Sequence, residues 1–102
     1  MLTAAHCVHD GRRYLRPELF VVTMGTLELF NRTPNTIVRK VVKVIGHKGY
    51  DVDTFKNDVA VLKLDIPVPI DHPTIQPIPL SGILAEQRVN ESCQISGWGT
   101  LG

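Results

Sequence analysis

At 102 residues the chain is at most one small domain, and 11 basic against 10 acidic residues leave it nearly neutral. That balance excludes nucleic acid or an anionic membrane as a main partner, since both need a clear basic excess. An apolar share of 43% supports a globular chain rather than a wholly disordered one, and no apolar run reaches the ~18 residues that span a bilayer.

The N-terminus does not read as a signal peptide: it has no basic region, and His6 and Cys7 interrupt its apolar run. Residues 1–3 read as the end of a strand, and Ala4 to Cys7 as one helical turn. Val8 to Pro17 is a polar loop holding Gly11, Arg12, Arg13 and Arg16, which read as a solvated basic face. Leu19 to Met24 is apolar and β-prone, a predicted strand closed by Gly25. Asn31 to Asn35, with Pro34, reads as a turn.

Thr36 to Ile45 is the clearest strand. Its apolar pairs Ile37-Val38, Val41-Val42 and Val44-Ile45 do not alternate strictly, which predicts a bulged or doubly packed strand. A helix is disfavoured there because so many β-branched residues would lose side-chain freedom. Gly46 to Asn57 reads as a loop holding His47, Tyr50 and Phe55, and Val59 to Leu64 as a short buried strand. Pro67, Pro69, Pro73, Pro77 and Pro79 then crowd together. Proline removes the backbone donor, so this stretch is extended connector rather than central strand. Gly82 to Glu91 reads as a surface loop and Ser92 to Trp98 as a further strand. Many short strands with turns between them predict an all-β barrel or sandwich. The chain reads as cut at both ends.

Two cysteines, Cys7 and Cys93, lie too far apart for a Cys-x-x-Cys metal or redox pair. They are free to pair with each other, with other cysteines, or not at all. His6 and His9 share a three-residue spacing, but the glutamate of a His-Glu-x-x-His zinc motif is missing. Glu28 alone is acidic between Gly25 and Thr36, too few hard oxygens for calcium. No metal and no cofactor is expected. His47 and His72 read as solvated loop residues. Asn31-Arg32-Thr33 and Asn90-Glu91-Ser92 fit the N-glycosylation pattern.

A neutral histidine can take a proton from a hydroxyl and return it to a leaving group. It needs a fixed ring and the right tautomer, which a carboxylate bonded to its other nitrogen supplies. His6 is the candidate base. Asp58, at the head of an apolar run and preceded by the turn residue Asn57, is the candidate orienter.

Three segments, in order, carry a family resemblance. Leu2-Thr3-Ala4-Ala5-His6-Cys7, Asn57-Asp58-Val59-Ala60-Val61-Leu62-Lys63-Leu64 and Cys93-Gln94-Ile95-Ser96-Gly97-Trp98-Gly99-Thr100 resemble the histidine segment, the aspartate segment and the opening of the second barrel in chymotrypsin/trypsin-like serine proteases. The resemblance covers essentially the whole chain and about the middle half of a family domain. It implies an antiparallel double β-barrel, present here as most of the first barrel (about 1–66), a connector (67–91) and the first strand of the second barrel (92–102). It implies a serine endopeptidase with His6 as general base and acid and Asp58 as its orienter. Phe55, three residues before Asp58, would line the non-primed substrate subsites.

The family's nucleophile lies in a Gly-Asp-Ser-Gly-Gly motif. Ser81, Ser92 and Ser96 are the only serines here, and none has that setting. The chain alone is therefore expected to be inactive, and its unpaired edges and half-built core predict that it is largely unfolded or aggregated. By the same resemblance Cys7 and Cys93 pair with cysteines outside these residues, and the setting is oxidising, secreted and extracellular. Protein or peptide substrates and protein protease inhibitors are the implied partners. The alternative is a non-catalytic homologue acting as a binding or regulatory protein.

Overall fold

A computed structural model of the chain describes residues 1–80 and 92–99. Four strands form one antiparallel sheet: β1 (Leu2–Thr3), β2 (Val21–Met24), β3 (Ile37–Gly46) and β4 (Ala60–Leu64), in the order β1-β4-β3-β2. Short 3₁₀ turns occupy Ala5–Val8 and Pro17–Leu19. The expected all-β class is present, as a curled part of a barrel.

The β-branched run of β3 makes it the longest strand and the centre of the sheet. Val41 pairs with Leu64 while Lys43 pairs with Lys63, so Val42 is the extra residue of a β-bulge. That bulge is why the apolar pairs do not alternate: Val41 is buried, Val42 is turned out and Val44 turns back in. In β4 the alternation is regular, with Ala60 and Leu62 buried and Val61 and Lys63 exposed.

The predicted strand over Leu19 to Met24 begins later than expected. Pro17 stands at the head of a 3₁₀ turn, where its fixed φ suits a helical start, and the strand starts only at Val21. The core is Ala5, Val8, Val22, Val41, Ala60 and Leu62, with Tyr14, Phe20, Met24, Val44, Tyr50 and Leu64 packed against it.

Residues 67–80 form no ladder and turn at 70–71 and 73–74, and they fold back over β2. Thr74 Oγ1 donates to the Gly25 carbonyl at 3.0 Å, and Met24, Leu64, Val68, Ile75 and Pro77 line a cavity of about 270 Å³ between them. Gly25 has φ +82, and Asn35 O and Thr74 Oγ1 leave no room there for a Cβ. The expected loop over Gly82 to Glu91 lies outside the described residues.

The strand predicted over Ser92 to Trp98 is not formed. Residues 92–96 carry no ladder, and residues 97–99 bend. β-prone side chains make a strand only beside a partner edge, and none lies there among the described residues. Ile95 is 98% exposed. Trp98 instead reaches the 25–35 segment, where its indole N–H donates to the Leu27 carbonyl at 2.9 Å.

Candidate active site

The turn that carries His6 is anchored from within. Ala5 and Val8, three residues apart, are both buried, so His6 and Cys7 between them face outward. Cys7 N–H donates to the Ala4 carbonyl at 3.2 Å and closes the turn. Strand register then brings Asp58 alongside. Thr3 pairs with Ala60 in an antiparallel ladder, and extending that register by two residues sets Ala5 opposite Asp58. The 52-residue separation is thus closed by the pairing of β1 with β4.

Both carboxylate oxygens of Asp58 serve His6. Oδ1 accepts the His6 backbone N–H at 2.8 Å, and Oδ2 lies 2.6 Å from Nδ1. The side chains are 21% exposed for Asp58 and 53% for His6. The bond from the His6 ring holds the Asp58 carboxyl below its ordinary value; the His6 backbone amide adds to this, and burial opposes it. An ionised carboxylate only accepts hydrogen bonds, so Nδ1 carries a proton, and in the neutral ring Nε2 keeps its lone pair. The result is an oriented base whose basic nitrogen points away from its orienter.

Phe55 stands against His6, with ring centroids 5.8 Å apart at 78°. The arrangement brings three residues named from the sequence, His6, Asp58 and Phe55, into one place. His9, Tyr14 and Tyr50 form a neighbouring cluster that sequence spacing did not point to. His9 meets Tyr14 edge-on at 4.8 Å and Tyr50 at 5.1 Å. Tyr14 O–H donates to the His47 carbonyl at 2.9 Å. Burial, and then the charge of Asp58, pushes both phenols above their ordinary value. The only sequence signal was a tyrosine in each of two loops; a bridge sets His9 beside Tyr14, and Tyr50 meets His9 from the second loop.

The remaining sites make no hydrogen bond to this pair among the described residues. Cys7 and Cys93 are exposed, unpaired thiols. Arg12, Arg13 and Arg16 are exposed. Asp10 Oδ1 accepts the backbone amides of Arg12 and Arg13 at 2.8 and 3.0 Å, which hold its carboxyl below the ordinary value. His47 and His72 turn Nδ1 to the backbone N–H of Gly49 and Thr74 at 2.9 and 3.2 Å. Asn31 is exposed, and its amide donates to Glu28 Oε2 at 2.9 Å. Asn90 lies outside the described residues. Among the described residues no three His, Cys, Asp or Glu side chains come together as a metal site, and no helix is long and apolar enough to cross a membrane.

The structure thus holds His6, on its 3₁₀ turn, against Asp58 where β1 and β4 pair. Comparison with known proteins gives the lineage: the chain belongs to the trypsin family, whose model matches residues 1–102. It is 37% identical over 101 residues to serine protease SP24D of Anopheles gambiae, covering 99% of this chain and 34% of that protein. It is 33% identical over 102 residues to duodenase-1 of Bos taurus, covering 100% and 37% respectively. It is 30% identical over 101 residues to transmembrane protease serine 9 of Rattus norvegicus, covering 99% and 9%. The chain thus spans about a third of the first two relatives and less of the third, and the first and third are named as proteases.

Proposed function

We propose that the chain is part of a serine endopeptidase that cleaves protein or peptide substrates by acyl transfer. The observation that supports this most directly is the two-point contact of Asp58 with His6 at 2.8 and 2.6 Å. His6 Nε2 takes the proton of a serine hydroxyl supplied from outside these residues as that oxygen attacks the scissile carbonyl. Asp58 stabilises the imidazolium that forms, and the proton then passes to the leaving amine. Phe55 borders the substrate on the non-primed side.

In this reading residues 1–66 are most of the first barrel, 67–91 the connector and 92–102 the entry to the second. Cys7 and Cys93 each bond a cysteine elsewhere in the full-length polypeptide. The domain works in an oxidising, extracellular setting where Asn31 and Asn90 are glycosylation acceptors and protein inhibitors are partners.

The test is peptide-bond hydrolysis by the full-length polypeptide. His6→Ala is expected to lower kcat/KM at least by roughly the 10²–10⁴-fold that a positioned general base supplies. A folded full-length protein that cleaves no peptide bond, or a His6→Ala variant as active as its parent, contradicts the proposal.

A further inference from the structure

The loop that delivers Asp58 is laced across its width. His47 N–H donates to the Val59 carbonyl at 3.1 Å, and Asp51 N–H donates to the Lys56 carbonyl at 3.0 Å. Between these two backbone links stands a third, and it is made by a side chain. Asn57 Nδ2 donates to the Gly49 carbonyl at 3.0 Å.

A side chain takes over there because the backbone leaves the ladder. Asn57 has φ +60, in the left-handed region that most residues with a Cβ avoid and asparagine tolerates. The same residue's carbonyl accepts Val59 N–H at 2.9 Å. Asp58 is therefore the middle residue of a tight three-residue turn. One end of that turn is tied through the Asn57 amide to Gly49 and the other through the Val59 carbonyl to His47, both in the segment that follows β3.

From this geometry we infer that Asn57 is a positioning residue for the proton relay, acting through Asp58. The inference rests on the endopeptidase reading only for its kinetic consequence. Asp58 itself has two bonds to His6 and no other side-chain partner among the described residues. Its aim follows its backbone, which the Asn57 amide holds at one end and the Val59 carbonyl at the other. Two properties of asparagine are used at once: tolerance of positive φ and an amide donor of the right reach. Glycine supplies the first and not the second, and alanine supplies neither.

The test uses Asn57→Gly and Asn57→Ala in the full-length polypeptide, with near-ultraviolet circular dichroism to show that both fold. Two readouts are taken. One is kcat and KM on an amide substrate. The other is the low-field proton resonance of the His6 Nδ1–H bonded to Asp58, which does not depend on turnover. Asn57→Gly is expected to lower kcat about tenfold, and Asn57→Ala about a hundredfold, the order of loss that an ångström of misplacement produces. KM stays within about twofold, and the low-field proton moves upfield in the same order.

Variants with parental kcat and an unmoved proton overturn the positioning role. So does a loss confined to KM. If the parent polypeptide turns over no substrate, the endopeptidase reading fails on that control alone, and the proton resonance still decides the role of Asn57.

Discussion

Gly46 lies under the ring of Tyr14, and replacing it by alanine tests whether that contact holds the two halves of the site together. A Cβ built on Gly46 falls inside the ring, overlapping Cζ, Cε1 and Cε2. The ring must move by more than an ångström to restore ordinary carbon–carbon separations of about 3.5–4.0 Å. That motion breaks the 2.9 Å bond from Tyr14 O–H to the His47 carbonyl, a loss of about 1 kcal/mol. It also opens the edge contact with His9, about 0.5–1.5 kcal/mol. Gly46→Ala is therefore expected to destabilise the full-length polypeptide by about 2 kcal/mol, within the range for overpacking. Urea unfolding should show a lower midpoint at unchanged slope. Tyr14→Ala provides the control. In its background Gly46→Ala should cost less than about 0.5 kcal/mol, so the double-mutant cycle should show a coupling above about 1 kcal/mol. Additive costs, or a Gly46→Ala variant as stable as its parent, would refute the contact.

Two further outcomes follow from the site and the core. Asp58 is held below the ordinary carboxyl value by His6. The stability it contributes is thus fully present above the unfolded value of about 3.9, and is lost as pH falls through the lower folded value. Carbon NMR of the Asp58 carboxyl should place its titration below the free-aspartate range; a titration at or above it contradicts the double contact. The second outcome concerns residues 1–102 expressed alone. Among the described residues the buried set is six residues, none larger than leucine, and Leu2, Val61 and Ile45 stand exposed in adjacent register on three strands. So small a core offsets little of the ordering entropy. The isolated chain should give no cooperative thermal transition and no sharp near-ultraviolet dichroism, and observing both would contradict this.

Much of the site was legible in the sequence because local rules and tertiary packing agree there. Ala5 and Val8 frame His6 at helical spacing, and they are the two residues of that turn the fold buries. The irregular apolar pairs of β3 announced the bulge at Val42. What was not legible depended on neighbours. Ser92 to Trp98 has strand composition, but composition supplies no partner edge, and the segment carries no ladder. Pro17 shifted the start of β2 by a local constraint that outweighed the β-propensity of Leu19 and Phe20. Asn57 read simply as a turn residue; its positive φ and its bond to Gly49 appear only once β3 and β4 bring the two arms of the loop together. His9, Tyr14 and Tyr50 show no shared period, and a fold had to assemble them.

Covalent labelling of the full-length polypeptide by a serine-directed fluorophosphonate probe tests the central claim most directly, because the reaction needs a serine made nucleophilic by an adjacent base. The account predicts that the folded parent protein is labelled at one serine, and that His6→Ala abolishes labelling while leaving the fold intact. A folded parent protein that takes up no label, or a His6→Ala variant labelled as fast as the parent, would contradict the assignment of His6 as the base of a working protease.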